Sequence, residues 1–489
     1  MNSPHFGCRG HLLFFAVVSI CTTLVWTKLD SLQKSLLEVR IPTAKVGDQS
    51  EPGDGPGGQD FPTPIGAPNH RLSGRVAIVP EWEPVGYVAL ALPRARILDG
   101  PYMKLMGDLA QTCLELPDVR LLVLVEERGV QARSTFDALV RSRSMASDRI
   151  DFLEVKELDS VWLRDFGPIF TRRDKESQII VNDVLYRDIR LGLDQAMLFG
   201  NAPTLRPSDD LVPMYFATFL NLPFIRHDFA MNGGDMYANG EGQLFTSEET
   251  IHLNSGDRES LDREFRDCLG IQAAGVHYLR PLPGPTVKHL DMFFKLVDDR
   301  TCLLGDYRAT ESLEEVAVLQ RAAQIAMDHN AQLLESLGMR VVRVPMPDIH
   351  RLSKWEYYGR VLTTAERDEF VVQLAKTAEI PPEEQIAKLE VESVYCYRSC
   401  VNGLFLQSKG NGGGNSHRMA VVPSYPSVES SDFHSQVDSA YRVAYGADLE
   451  VRFVNAEALA HSNGSLRCVV ATVPQAALQS PRNREVRSR

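Results

Sequence analysis

Short apolar runs recur along this chain, and each is followed by a loop that carries glycine, proline or polar residues. Their lengths and residue types predict β-strands over residues 85–92, 150–155, 223–228, 276–279, 341–344 and 451–454. Apolar runs around polar turns predict hairpins at 235–245 and 292–304, and apolar positions at helical spacing predict helices at 258–269, 313–337 and 433–445. A repeated strand, hairpin and helix unit favours a mixed α/β fold, either an ordinary α+β domain or units arranged around an axis.

The length and composition fit a globular protein with one large core or two ordinary ones. Of the 489 residues, 44% are hydrophobic and 24% are charged, which are ordinary proportions. The formal net charge of −12 argues against nucleic acid as the main partner. It suits a cationic substrate or simply a solvated acidic surface. The eight cysteines form no CxxC pair and no His/Cys cluster, so we expect no zinc site.

The two ends of the chain differ in composition from its body. Residues 1–30 contain an apolar run, 12–26, that is short for a membrane span and about right for a signal-peptide core. A cleaved signal and an uncleaved anchor formed by residues 11–26 both stay open, and either predicts an exported protein, secreted or membrane-anchored. Export would permit a disulfide among the cysteines. Residues 31–74 predict a Gly/Pro-rich linker, 75–474 the folded body and 475–489 a disordered tail.

Residues 162–168, Trp-Leu-Arg-Asp-Phe-Gly-Pro, place an aromatic ring, a guanidinium and a carboxylate close together after a predicted strand. The Gly-Pro pair predicts a turn that would make this loop rigid. Asp165, screened by Trp162, would then be a suitable holder for a cationic ligand. The alternative interpretation is a surface or structural ion pair between Arg164 and Asp165.

Two further segments combine turn residues with polar side chains. Asn232-Gly-Gly-Asp235 would allow a ligand to approach the backbone closely, and it also fits a tight turn before a hairpin. In Lys288-His-Leu-Asp291, an extended backbone would point His289 and Asp291 to the same side. Ordinary packing beside a surface charge is the alternative. No HExxH motif or second His-x-Asp pair accompanies this segment, which argues against a metal site.

A cysteine follows a Gly-Ser turn near the C-terminal end, at Asn463-Gly-Ser-Leu-Arg-Cys468, and begins an apolar strand pattern. A buried structural thiol is the ordinary interpretation of such a residue. The alternative is a nucleophile, which would need nearby cations to lower the pKa of its thiol. Arg467 is adjacent, but in a strand it would point to the opposite face and would activate the thiol poorly.

Taken in order, Trp-x-Arg-Asp-x-Gly-Pro, Gly-Gly-Asp, His-x-Asp and Gly-Ser-Leu-Arg-Cys form a specific set. The set resembles the agmatine deiminase and bacterial peptidylarginine deiminase family, within the guanidino-group modifying superfamily. The resemblance extends over residues 82–474. It implies a deiminase catalytic domain at 75–474 and a five-bladed α/β propeller with pseudo-fivefold symmetry, whose site lies in the central channel.

The resemblance also implies roles for individual residues. Cys468 would attack the central carbon of a guanidinium group, Asp165 and Asp291 would clamp its nitrogens, and His289 would transfer protons. Asn402 matches a family asparagine that helps to arrange the site. The expected substrate-binding set comprises Asp165, Asp291, Asn402, Trp162 and Asp235. No metal or organic cofactor is needed.

The substrate and the oligomeric state stay open at this level. Agmatine, free arginine and arginine-containing peptides all carry the required group, and amidinotransfer or membrane-tethered guanidino binding without turnover are the alternative functions. Asn232 stands where many relatives have glutamate, which changes how the substrate would be held. Arg187 and Arg190 would pair with an arginine carboxylate or form a solvated face. Residues 410–415 are an insertion relative to the family.

Overall fold

The computed structural model describes residues 76–96, 100–173, 178–186, 208–254, 256–284, 288–308, 314–356, 371–372, 375, 381–391, 393–408 and 416–479. Several predictions fall outside these described residues: the leader at 1–30, the linker at 31–74, the cationic pair Arg187 and Arg190, the insertion at 410–415 and residues 480–489 of the tail.

The strands of the described residues form six sheets. In chain order they are β1 Val76–Ile78, β2 Val85–Leu92, β3 Arg120–Glu126, β4 Ile150–Val155, β5 Ile169–Arg173, β6 Gln178–Leu185, β7 Phe224–Ala230, β8 Met236–Ala238, β9 Leu244–Ser247, β10 Val276–Leu279, β11 Phe294–Leu296, β12 Thr301–Asp306, β13 Arg340–Pro345, β14 His350–Ser353, β15 Ser393–Cys396, β16 Leu404–Ser408, β17 His417–Ser424, β18 Glu450–Asn455 and β19 Val470–Pro474.

The α-helices of the same residues range from single turns to six turns. They are α1 Gly100–Cys113, α2 Val130–Ser142, α3 Leu163–Phe166, α4 Val212–Phe219, α5 Glu249–Leu253, α6 Arg258–Leu269, α7 Glu314–Ser336, α8 Pro382–Val391, α9 Ser431–Tyr445, α10 Glu457–Ala460 and α11 Gln475–Leu478.

Five of the six sheets contain the same pairing unit, an antiparallel pair whose second strand also pairs in parallel with a third. The units are β5-β6-β7, β8-β9-β10, β11-β12-β13, β16-β17-β18 and β19-β2-β3. Parallel neighbours need a crossover connection, and a helix lies between the two parallel strands of every unit. The fold is therefore mixed α/β and repetitive, as the sequence pattern predicts.

The last of these units joins the two ends of the body. β19 pairs antiparallel with β2, so the strand that follows Cys468 lies beside the first long strand of the chain. Every residue of β2 is buried, and the interior of β3 is buried as well. Strands covered on both faces read as continuous apolar runs rather than as alternating ones, which explains the sequences VGYVALAL and RLLVLVE.

Several predicted elements have the bounds that their sequences indicate. β2, β4 and β10 match the predicted strands residue for residue, and α6 matches the predicted helix. The ends of α6 show why: the Asp257 side chain accepts a hydrogen bond from the Ser260 N–H at 3.0 Å, and Gly270 ends the helix with a φ of 74°.

Two predictions about the chain's path are wrong. Residues 163–166 form a helical turn, α3, where the sequence predicted only a rigid loop. The ordered body also continues past Pro474, because α11 packs Ala477 into the core and the Gln475 N–H donates to the Pro84 carbonyl at 2.7 Å. The predicted disordered tail therefore does not begin at residue 475.

Among the described residues, no helix is long and apolar enough to cross a membrane. The cysteines of these residues are free thiols, including Cys396 and Cys400, which are separated by only three positions.

Replacing Gly270 with alanine tests how tightly α6 packs against β1. A Cβ atom there would lie 1.9 Å from the Val76 carbonyl oxygen, in addition to requiring a left-handed backbone. We expect Gly270→Ala to lower the free energy of unfolding by about 3 kcal/mol. Gly338→Ala is the matched control, because Gly338 has a φ of 78° and open space around it. It should cost only about 1 kcal/mol. Equal losses in urea unfolding would contradict this explanation.

Candidate active site

The predicted site residues meet around a glycine. Gly234 belongs to a 3-10 turn between β7 and β8. A Cβ atom on Gly234 would lie 2.6 Å from Asp165 Oδ1, 2.8 Å from His289 Nδ1 and 3.3 Å from Asp291 Oδ2. A Cβ atom on Gly233 would lie 2.1 Å from the Arg164 carbonyl oxygen. The sequence predicts that these two glycines let a ligand approach the backbone closely. In the structure they make room for residues of the site itself.

His289 is buried and held from both sides of its ring. Its Nδ1 lies 3.2 Å from Asp165 Oδ1, and its Nε2 lies 3.0 Å from Asn232 Nδ2. The following residues form a 3-10 turn, Leu290–Met292, so the extended backbone predicted for this segment is wrong beyond His289. Asp291 nevertheless faces the same place as His289, because both side chains lie over Gly234.

Asp291 has no exposed surface, and its two carboxylate oxygens have different surroundings. Oδ2 accepts a hydrogen bond from Arg467 Nη1 at 2.9 Å, whereas Oδ1 has no hydrogen-bond partner among the described residues. Burial raises the pKa of Asp291, Asp165 raises it further, and Arg467 and His289 lower it. A buried carboxylate oxygen without a donor is costly and uncommon in folded proteins. Such an oxygen marks Asp291 as a residue available to a ligand's N–H group.

Cys468 lies in a 3-10 turn immediately before β19 and is 3% exposed. Its Sγ accepts hydrogen bonds from Asn402 Nδ2 at 3.3 Å and from the Ser465 N–H at 3.4 Å, and lies 4.0 Å from Asp291 Oδ2. Burial raises the pKa of the Cys468 thiol well above its usual value, and the charges of Asp291 and Asp165 raise it further. The hydrogen bonds from Ser465 and Asn402 lower this pKa, but they do not outweigh the other effects. In the protein alone, Cys468 is therefore a protonated thiol at neutral pH.

The predicted direction of Arg467 is wrong. This side chain is fully buried and points to Asp291, with Nε and Nη2 donating to Glu81 at 3.1 and 2.6 Å. The prediction assumed a strand, in which neighbouring side chains alternate, whereas residues 467–469 form a 3-10 turn. Arg467 and Cys468 therefore converge on the same carboxylate.

In the loop at 162–168, the ion pair between Arg164 and Asp165, which is the alternative interpretation of the sequence, does not form. Arg164 pairs with Glu81, at 3.1 Å, and not with Asp165. Trp162 packs against the turn that precedes Cys468, since a Cβ atom on Gly464 would lie 2.2 Å from its ring. Trp162 thus contacts the cysteine segment directly, and its screening of Asp165 stays a prediction.

Asp235 has a supporting position rather than the predicted substrate-binding one. Its Oδ1 accepts from the backbone N–H groups of Leu290 at 2.9 Å and Ser247 at 3.2 Å. Its Oδ2 accepts from the hydroxyls of Ser247 at 2.8 Å and Thr250 at 2.6 Å. Burial raises the pKa of Asp235 to about 6. Because these bonds use both oxygens, Asp235 braces the segment that carries His289 and Asp291.

Sequence reasoning missed the buried charges behind the site. Lys295 is 1% exposed, donates to the Gly403 carbonyl at 3.1 Å and has its pKa lowered to about 8 by burial, with the charges of Arg467 and Arg164 adding to the effect. A signal was present, because Lys295 stands inside the apolar strand β11, where an unpaired lysine is rarely found. Glu81 had no comparable signal.

The donor set suits a planar cation better than a metal ion. Among the described residues, no group of three or more His, Cys, Asp or Glu side chains is placed to hold a metal. Two carboxylates, a histidine and a thiol around one point can hold a guanidinium group by its N–H donors and present a sulfur nucleophile to its carbon.

The model of the Porphyromonas-type peptidyl-arginine deiminase family matches residues 77–402. The chain belongs to this family. The matched segment contains Asp165, His289, Asp291 and Asn402, and it ends before Cys468.

Curated relatives match over shorter stretches. A protein of Mycoplasma mycoides subsp. mycoides named "Putative agmatine deiminase" is 26% identical over 202 residues, which are 40% of this chain and 50% of that protein. A protein of the same name from Vibrio parahaemolyticus is 24% identical over 232 residues, 45% of this chain and 59% of that protein. The chain thus spans about half the length of the curated relatives that it matches.

Solved structures resemble the chain over most of its length. The agmatine deiminase of C. jejuni has a TM-score of 0.55 at 16% identity, over 83% of this chain and 99% of that one. The agmatine deiminase of Enterococcus faecalis has a TM-score of 0.57 at 17% identity, over 83% and 100%. The chain therefore shares the mixed α/β fold of these enzymes.

The surroundings of Cys468 predict slow alkylation. With its thiol protonated, Cys468 should react slowly with iodoacetamide at pH 7 and faster above pH 9. Asp291→Asn removes a neighbouring negative charge, so it should lower the thiol pKa and speed the reaction at pH 7 about tenfold per unit of pKa. Peptide mapping by mass spectrometry gives the rate for each cysteine.

Asp298→Asn is the control, because Asp298 is an exposed carboxylate that does not contact the thiol. Buried Cys113 serves as an internal reference in the same digest. An unchanged or slower reaction of Cys468 in Asp291→Asn would show that Asp291 does not set the charge around the thiol.

Proposed function

We propose that this protein is a hydrolytic deiminase that converts a guanidino substrate to a ureido product and ammonia. The observation that carries the proposal is the position of Cys468 Sγ, 4.0 Å from an oxygen of Asp291, which shares the space over Gly234 with Asp165 and His289. Membership of the Porphyromonas-type peptidyl-arginine deiminase family supports the same reaction class.

Substrate binding would satisfy the oxygen of Asp291 that has no donor. A guanidinium group offers five N–H donors in one plane, and carboxylates accept them in pairs. Asp165 and Asp291 would hold its nitrogens and stabilise the positive charge that makes the central carbon electrophilic. The bound cation would also favour the thiolate, because a nearby positive charge lowers the pKa of a thiol. The nucleophile would therefore form when substrate is present.

The reaction would proceed in two halves. The Cys468 thiol passes its proton to His289 and the thiolate attacks the guanidinium carbon, forming a C–S bond. The C–N bond then breaks, and His289 gives its proton to the departing ammonia. In the second half His289 takes a proton from water, whose oxygen attacks the same carbon. The C–S bond then breaks, the hydroxyl proton of the adduct passes to the sulfur and restores the Cys468 thiol, and the carbonyl of the ureido product retains the oxygen of water. His289 releases the proton that it took from water, which converts the released ammonia to ammonium.

We further propose that the repeated sheets stand around a central axis as a five-bladed propeller. Five sheets share one pairing unit with a helical crossover, and one of them joins β19 to β2. The likeness to agmatine deiminase structures supports this arrangement. It would place loops from several units, including those of Asp165, His289 and Cys468, at one end of a common channel.

Asn232 bears on which guanidino compound is used. It contacts His289 Nε2 through Nδ2, and its Oδ1 has no hydrogen-bond partner among the described residues. A neutral amide at this position would accept an N–H group without adding a charge. Agmatine is supported by the names of the relatives, and an arginyl peptide by the name of the family.

Turnover of a substrate panel tests the proposal. Purified protein should release equal amounts of ammonia and ureido product from agmatine, free arginine or an acetyl-arginine amide. We expect Cys468→Ala to lower the rate at least about 10⁴-fold, because it removes the nucleophile. Asp262→Asn is a control, since Asp262 lies on α6 and bonds to Tyr278.

Three outcomes would overturn the proposal. Absence of turnover on every compound would remove hydrolysis, and tight guanidino binding by the wild-type protein without turnover would favour a binding protein. Product that incorporates an added amine in place of water would identify amidinotransfer instead.

A further inference from the structure

Arg467 connects several parts of the site through its side chain and its backbone. It has no exposed surface, and its guanidinium lies 4.2 Å from the centre of the Tyr237 ring. Nη1 donates to Asp291, while Nε and Nη2 donate to Glu81. Nη2 also lies 3.2 Å from the Met236 carbonyl oxygen. The planar group therefore bridges two carboxylates that are 210 positions apart in the chain.

The backbone of Arg467 reaches a different residue of the site. Its N–H donates to Asn402 Oδ1 at 2.8 Å, which turns the amide so that Nδ2 donates to Cys468 Sγ at 3.3 Å. One residue thus contacts both Asp291 and the asparagine that contacts the thiol.

We infer that Arg467 is a positioning residue for deimination, which fixes the Asp291 carboxylate through Oδ2 and leaves Oδ1 without a protein donor, for an N–H group of the substrate. The inference rests on the proposed function. Arginine suits this role because its fork can donate to Glu81 and Asp291 at the same time, whereas a lysine ammonium is a single point charge. With Oδ2 fixed by Nη1, the rotation of the Asp291 carboxylate is set, and Oδ1 is left for an N–H group of the guanidinium.

Glu81 makes the burial of Arg467 tolerable. Burial alone would raise the pKa of Glu81, but Arg164 and Arg467 outweigh it and hold this pKa well below its ordinary value. Glu81 is therefore charged at all pH values at which the enzyme would work. It balances part of the positive charge that Arg467, Arg164 and Lys295 place behind the site.

The pH dependence of turnover follows from the groups around Asp291. Substrate binding needs Asp291 charged, and Arg467 opposes the rise of its pKa on burial. Removing the guanidinium should therefore move the acidic limb of kcat/KM to higher pH. The titratable or charged groups that face Asp291 are Arg467, His289, Asp165 and Cys468, with Arg164, Lys295 and Tyr237 farther away.

The test compares Arg467→Met and Arg467→Lys with the wild-type chain, using agmatine, free arginine and an acetyl-arginine amide. Arg467→Met should lower kcat about 100-fold through misplacement of Asp291. It should also shift the acidic limb of kcat/KM upward by about one pH unit. Arg467→Lys keeps the charge, so the limb should stay in place while kcat falls about tenfold. If circular dichroism shows that Arg467→Met does not fold, Arg467→Lys alone tests the inference. Its kcat should fall while the acidic limb of kcat/KM stays at the wild-type pH.

Arg398→Lys is the matched control. Arg398 is 2% exposed and bonds to Asp348, His350 and Ser427, none of which belongs to the site. Arg398→Lys should lower the thermal stability about as much as Arg467→Lys does. Its kcat should change less than about twofold, and the acidic limb of its kcat/KM should stay at the wild-type pH. If either Arg467 variant behaves as Arg398→Lys does, the inference is overturned.

A binding measurement separates this inference from the proposed function. Calorimetry of agmatine with Cys468→Ala and with Cys468→Ala/Arg467→Met needs no turnover. Binding weakened at least about tenfold by the second change supports the role of Arg467, even if no compound is hydrolysed. Equal binding in the two variants, or none in either, overturns it.

Discussion

The ion pair between Asp291 and Arg467 is the interaction on which the arrangement of the site depends. Both groups are fully buried, and a buried charge is tolerated only where a partner and hydrogen bonds replace water. Glu81 supplies the second partner of Arg467, and Arg164 supplies a second cation for Glu81. The result is a chain of alternating charges, Asp291, Arg467, Glu81 and Arg164, that ends beside Asp165. Removing one member would leave an uncompensated charge in the interior.

A steric condition complements this electrostatic one. Residues from distant segments can share so small a space only because the backbone there has no side chain of its own. Gly234 provides this space for Asp165, His289 and Asp291, and Gly464 provides it for the ring of Trp162. Asp235 then fixes the segment between His289 and Asp291 through the Leu290 N–H. The site is therefore assembled from short turns, each tied to a buried polar group.

The sequence predicted the parts of this structure that follow from local pattern. The apolar runs of β2, β4 and β10 and the capped amphipathic helix α6 have the predicted bounds. The ordered motifs also indicated Asp165, His289, Asp291 and Cys468, which the fold brings together.

What could not be predicted depends on long-range contact or on the backbone of short turns. Glu81 and Arg467 are 386 positions apart, and nothing local relates them. The direction of Arg467 was mistaken because one 3-10 turn replaces the expected strand start, which rotates its side chain onto Asp291. The sequence predicts that Asp235 binds the substrate. A Gly-Gly-Asp motif does not reveal that the oxygens of Asp235 accept hydrogen bonds from Leu290, Ser247 and Thr250.

Detection of a covalent intermediate on Cys468 is the most direct test of deimination by this cysteine. The protein is mixed with substrate, quenched in acid within milliseconds and digested for mass spectrometry. We predict that the peptide containing Cys468 gains the mass of the substrate less ammonia, and that the adduct disappears as product forms. Turnover without an adduct on this peptide, or an adduct on another cysteine such as Cys400, would contradict it.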